Sequence, residues 1–182
     1  MNIFYLSKDP HTAAKQHVDK HVVKMIVEYG QLLSTAHRMN DGIKTEARSK
    51  TGRKTWRYLM EDERRQNTLY QAVHYHHPSA VWCRETKEQY QWLYRLFKYL
   101  GHEYTHRYGK IHTCAKHLLW LYQNHPTHFE ERKSETAYYS KEGIPECMPE
   151  QFRSPSIVEA YQMYYMVDKM HFARYKIPID SK

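Results

Sequence analysis

The stretch HVDKHVVKMIVEYGQLLSTAH, residues 17–37, carries two periodicities at once. At 100° per residue, Val18, Val22, Met25, Ile26, Tyr29, Leu32, Leu33 and Ala36 fall within roughly one third of a helical wheel. That is the core face of an amphipathic helix. A second set, His17, His21, Lys24, Glu28, Gln31 and Thr35, runs down the same helix as a stripe roughly 80° wide. Val23 and Val27 stand on its far side, so the spacing predicts polar groups hemmed in by hydrocarbon on both edges. Such groups are partly desolvated, which shifts pKa values and strengthens their mutual electrostatics. Glu28 follows Lys24 by four residues, within reach of a proton exchange or an ion pair. His17 and His21 share that spacing and present two imidazoles to one side. Three readings follow: a working stripe with Glu28, Lys24, His21 and His17 as catalytic candidates, a polar network or ion pair that only fixes the helix, or a metal site.

Outward from this helix, Asp9-Pro10 reads as an N-cap with proline at the first helical position. The helical pattern runs from there to about His37 and is broken by Asn40-Asp41-Gly42. Met1–Ser7 reads as a short extended apolar start. Helical character returns over about Thr55–His76, Ser79–Tyr108, His112–Gln123 and Ser156–Tyr175. Pro126–Pro155 reads as a loop, with Pro145 and Pro149 inside it and acidic residues at Glu130, Glu131, Glu135, Glu142, Glu146 and Glu150. The expected fold is all-α: a single compact domain over residues 1–182, with about five helices, a short extended N-terminal segment and a long proline-containing loop before the last helix.

Composition narrows the partners. The chain has 182 residues, with 28 Lys and Arg against 20 Asp and Glu, a formal charge of +8. No apolar run approaches the roughly 20 residues that span a bilayer, so no membrane segment is expected. Met1–Leu6 lacks a basic flank, so no secretory leader is expected either. The 3 cysteines include no Cys-x-x-Cys pair, which argues against a disulfide framework or a zinc module and for a reducing compartment. There are 17 Tyr and 14 His against only 6 Gly and 7 Pro, which suits helices with short connections. Excess positive charge with many flat rings suits nucleic acid, or else a basic, tyrosine-packed helical domain without that role.

The charge is concentrated. Arg38, Lys44, Arg48, Lys50, Arg53, Lys54 and Arg57 face only Asp41 and Glu46 in the same stretch, a candidate phosphate-binding surface. Arg107, Lys110 and His112 lie where a helix ends at a glycine turn, a second phosphate contact or simply cations on a helix C-terminus. Tyr75, Trp82 and Tyr108 are candidates for stacking on bases, although the segment Tyr75–Trp82 also reads as a staple at a helix start. Glu103/His106 and Asp168/His171 have the spacing of di-metal bundle ligands. Matching carboxylates on two further helices are missing, so no metal and no cofactor is expected.

Two resemblances follow from these residues. Asp19-Lys-His-Val-Val-Lys-Met25, His77-Pro-Ser79 with Trp82, and Glu103-Tyr-Thr-His-Arg-Tyr-Gly-Lys110 resemble a family of uncharacterised proteins of tailed bacteriophages, along most of the chain. More remotely, over about Met1–His112, the order of features is similar to the pyrimidine-dimer DNA glycosylase/AP-lyase family. The features are Met1–Leu6, Glu28 within Val27–Leu33, a basic stretch, His77-Pro78 and Glu103–Gly109. That resemblance implies base removal by an amine nucleophile, the N-terminal α-amino group in the family, with Glu28 handling protons. α-Amino groups titrate near ~8, leaving a usable neutral fraction at pH 7. Asn2 disfavours removal of Met1, which puts the amine on Met1 itself or leaves it formylated, with Lys24 as the fallback nucleophile. The expectation is therefore a phage-encoded, nucleic-acid-acting enzyme in the cytoplasm of the infected host, with DNA as partner and no membrane. The alternatives are a non-catalytic nucleotide- or nucleic-acid-binding protein that counters host defence, and a metal-dependent hydrolase or oxidase.

Overall fold

The computed structural model describes residues 1–129 and 139–176. Its spine is α2 (Asp19–Asp41), which packs against α4 (Pro78–Glu85) and α5 (Lys87–Tyr108), while α1 (Pro10–Gln16) lies along α5. The wheel reading of α2 is visible in its burial. Val22, Met25, Ile26, Tyr29, Leu32, Leu33 and Ala36 are all buried. Residues 1–8 form no helix, and Ile3, Phe4, Tyr5 and Leu6 are buried in the core instead.

The all-α expectation is overturned by an antiparallel hairpin, β1 (Ile43–Arg48) with β2 (Lys54–Leu59). Ile43 pairs with Leu59 at its base and Arg48 with Lys54 near its tip, where Gly52 turns the chain at φ 77°. Both strands carry β-branched or aromatic residues (Ile43, Thr45, Thr55, Trp56, Tyr58), which favour a pleated surface over a helix. The expected helix over Thr55–His76 is thus replaced by β2, the short α3 (Glu63–Thr68) and an irregular stretch up to His77.

The helix count is also corrected, from about five to seven among the described residues. The expected helix from Asp9 to His37 breaks in two, because His17 and Val18 are extended. Arg107 causes the break: its guanidinium donates to the carbonyls of Lys15 and His17, taking over the end of α1. The expected helix Ser79–Tyr108 breaks at Thr86, which forms a capping box with Gln89 and starts α5 afresh. The stretch His112–Gln123 becomes α6 (Thr113–His117) followed by a 3-10 turn, Leu119–Tyr122. The last helix is α7 (Ile157–Tyr164), continued by a π turn (Tyr165–Lys169) and a 3-10 turn (Met170–Phe172). In the acidic loop, Glu130, Glu131 and Glu135 lie outside the described residues. Glu142 pairs with Lys8 (3.3 Å) and Glu146 with Arg153 (3.6 Å).

Candidate active site

The polar stripe on α2 divides by role along its length. At its start, His17 is fully buried, and its Nδ1–H donates to the Ala13 carbonyl (2.7 Å). That leaves Nε2 to accept from the Tyr29 hydroxyl (2.9 Å), which in turn accepts from the Phe4 N–H (3.4 Å). Burial drives the His17 pKa down to about 3, so the ring is neutral and fixed in this tautomer. His21 is hydrogen-bonded to the Tyr165 hydroxyl and stacks on Phe4, with ring centroids 4.7 Å apart. Burial, with Lys169 and Lys24 adding to it, lowers His21 to about 4. Each imidazole spends a ring nitrogen on a tyrosine hydroxyl. Both clamp the N-terminal segment onto α2.

What that clamp delivers is the α-amino group of Met1. It stands 3.9 Å from Glu28 Oε2, and the side chains of Met1 and Glu28 are 5% and 16% exposed. Glu28 Oε1 lies 3.1 Å from Lys24 Nζ. Lys24 itself departs from expectation: its side chain is 67% exposed, and Val23 and Val27 beside it face solvent too. The outer edge of the stripe is open, so the lysine is not desolvated and the argument for it as nucleophile lapses. The far end of the stripe has a positioning task of its own. Thr35 donates to the Val73 carbonyl and accepts from the Val73 N–H, pinning the segment that leads to His77.

Met1, His77, Pro78, Glu146, Cys147, Met148, Pro149 and Arg153 line a cleft of about 580 Å³, ample for one nucleoside. Asn2 anchors the amine from the other side, since its side-chain amide donates to the Cys147 carbonyl (2.8 Å) and its oxygen accepts from the Tyr161 hydroxyl (3.0 Å). His77 accepts from the Ser79 N–H on Nδ1 (3.2 Å). Burial lowers its pKa, the Met1 ammonium and His74 add to the effect, and Glu28 opposes it. The neutral ring therefore carries its proton on Nε2. Burial pushes the Cys147 thiol up, against the pull of Ser79 and the Met1 ammonium. His74, three residues before His77, is in the left-handed region at φ 47°, an uncommon and costly conformation for a non-glycine residue.

The remaining candidates scatter. Lys44, Arg48, Lys50, Arg53 and Lys54 are exposed on the hairpin or its tip, and Arg57 is half-buried there. Arg38 is not a phosphate ligand. It is fully buried, and its guanidinium donates to the carbonyls of Tyr58, Gln66, Leu69 and Tyr70, which seats the hairpin base on the end of α2. Arg107 is likewise buried, held by Asp19 (2.9 Å) and Glu103 (2.7 Å). Trp82 is 2% exposed and belongs to the core, so it cannot stack on a base. Tyr75 is half-buried against Tyr58. Tyr108 is half-buried, with its hydroxyl bonded to the Asp19 carbonyl, and His112 caps α6. Lys110 is exposed. This last group sits near Asp19, at the opposite end of α2 from the hairpin, roughly 30 Å away at 1.5 Å per residue.

Among the described residues, no group of three or more His, Cys, Asp and Glu side chains is gathered as metal ligands. Glu103 is engaged by Arg107 and Asp168 by Lys169. No helix among them is long and apolar enough to cross a membrane. The sequence missed Glu146, Cys147 and Arg153, which lie more than 100 residues from Glu28 with no motif to flag them. No family model, curated protein or solved structure matches this chain.

Proposed function

We propose that this chain is a DNA-acting enzyme that excises a base through the α-amino group of Met1, with Glu28 managing the protons. The observation that carries the reading is the amine itself, 3.9 Å from the Glu28 carboxylate and lining a cleft of nucleoside size. The neutral amine attacks the sugar C1′, and the base leaves with the electrons of the glycosidic bond and takes up a proton. Glu28 accepts the proton released from the attacking nitrogen. Opening of the sugar ring, with Glu28 passing that proton to O4′ and so returning to the carboxylate, then gives a Schiff base between Met1 N and C1′. Loss of a C2′ proton to the same carboxylate expels the 3′-phosphate by β-elimination, and water releases the product. Arg153, which lines the cleft and pairs with Glu146 at 3.6 Å, would exchange that partner for a flanking phosphate. Access requires the target nucleotide to leave the base stack. The setting proposed with it is the infected host cell that a bacteriophage resemblance would imply.

The test is borohydride trapping on a panel of damaged, abasic and modified duplexes. The expected result is a covalent adduct that peptide mass spectrometry maps to Met1, whose α-amino group must be free in the intact protein. An adduct on Lys24 would move the nucleophile. Absence of both adduct and strand cleavage across the panel overturns the enzymatic reading, and tight binding without turnover is what the non-catalytic binder predicts.

A further inference from the structure

The hairpin points to how the substrate is held, a question that rests on the reading above only in taking nucleic acid as partner. Along both strands only Tyr58 is buried, and the rest of the ribbon is exposed or half-exposed on its two faces. Alternation places Lys44, Glu46, Arg48, Lys54, Trp56 and Tyr58 on one face, by the pairing Lys44–Tyr58, Glu46–Trp56 and Arg48–Lys54. Arg57 lies on the other face, while Lys50 and Arg53 occupy the tip. The indole of Trp56 is 38% exposed and flanked by two ammonium groups, Lys44 at 4.5 Å and Lys54 at 5.2 Å from the ring centroid. Glu46, the acidic residue of this stretch, is already neutralised by Lys54 at 2.8 Å.

A surface that docks flat on a partner needs cations on one face. Here Lys44 and Arg48 stand on one face, Arg57 alone on the other, and Lys50 and Arg53 at the tip, so phosphate can be met along one face and around the end of the ribbon. The major groove of B-DNA is about 12 Å wide and about 8.5 Å deep, and it admits a two-stranded ribbon. Strands about 4.8 Å apart make a ribbon narrower than that width, and six residues extend about 20 Å, longer than the groove is deep, so the tip enters while the rest of the ribbon runs along the groove mouth. We infer that β1–β2 enters the major groove of duplex DNA as a ribbon, with Lys44, Arg48, Lys50 and Arg53 on phosphates and Trp56 against the groove wall. The base of the ribbon is coupled to the cleft, because Tyr58 packs on Tyr75, two residues before His77. Binding the groove through the hairpin thus brings the same duplex to the mouth of the site.

The experiment is salt-dependent binding of an undamaged duplex by the full chain and by the exposed-residue variant Lys44→Gln/Arg48→Gln/Arg53→Gln, with the tip variant Lys50→Gln/Arg53→Gln as a milder second. Each lost phosphate contact should make the slope of log K against log salt shallower by about 0.9. A major-groove ligand such as methyl green should displace the protein, whereas the minor-groove ligand distamycin should not. Fluorescence quenching on binding should disappear in Trp56→Phe. A wild-type slope in both charge variants, displacement by distamycin alone, or equal affinity for single strands overturns the inference. Adduct formation is scored separately at saturating low-salt DNA. A hairpin variant that still traps there leaves the chemistry standing, and salt-dependent groove binding without any adduct does the reverse.

Discussion

At the scale of single residues, the proposed site is an amine and a carboxylate, with His17, Tyr29 and Asn2 holding the segment that carries the amine. Glu28→Gln keeps the shape and the hydrogen-bonding reach of the side chain but removes its basicity. The expected outcome is a loss on the order of 10²-fold or more in the single-turnover rate of adduct formation, with duplex affinity unchanged within a factor of two or three. A Gly-Ser extension ahead of Met1 should abolish trapping and leave binding intact, because it converts the amine to an amide. Tyr29→Phe tests positioning: it removes the hydroxyl that links buried His17 to the Phe4 N–H. It should slow trapping while leaving the pH dependence of the rate above about pH 6.5 unmoved, since His17 is neutral there and Met1 and Glu28 are untouched. A profile that shifts instead would give the His17–Tyr29 pair a direct part in proton transfer.

At the scale of elements, the end of α2 and the hairpin form one unit through Arg38. Its guanidinium satisfies carbonyls from β2, α3 and the turn that follows it. Arg38→Ala strips these acceptors of their donor in a buried place and should cost about 3–5 kcal/mol of stability. The measurement is urea unfolding together with amide exchange, and loss of protection should be concentrated over Ile43–Leu69. The hairpin is also where composition misled the reading of structure. Lys44–Arg57 was legible as a concentration of charge, and its cations are exposed apart from half-buried Arg57. Its strand character was written in the alternation of Thr45, Ala47, Thr55 and Arg57 against Lys44, Glu46, Lys54 and Trp56. Charge density masked that pattern, because a period of two is short-lived over six residues and its faces are both solvated.

At the scale of the whole molecule, the neutral buried histidines tie stability to pH. His17 and His37 are each lowered by burial to about 3, and His21 to about 4. In the unfolded chain these rings titrate near ~6.5, so between about pH 6.5 and pH 3 the unfolded state binds more protons than the folded one. Stability is therefore fully present above pH 6.5 and falls as the solution is acidified through that window. Urea midpoints at pH 7.5 and pH 4.5 should differ clearly, and equal midpoints would mean that the imidazoles are not buried neutral. Protonation of His17 also breaks its acceptance from Tyr29, so the N-terminal segment should loosen in the same range, and trapping should fail before global unfolding.

Some of this was fixed by local pattern alone. The spacing of apolar residues in α2 set its core face, Asp9-Pro10 set the start of α1, and the stripe singled out Glu28, because helical periodicity is a property of neighbours in the chain. What joined that carboxylate to an amine 27 residues earlier, and to Cys147 and Arg153 far downstream, was packing between distant segments. The same holds for burial: Arg38 and Arg107 read as phosphate contacts and Trp82 as a base-stacking ring or a helix-start staple, and all three are interior in the fold. Side-chain identity states what a group can do, and only the tertiary arrangement of backbone acceptors and water decides which partner it meets.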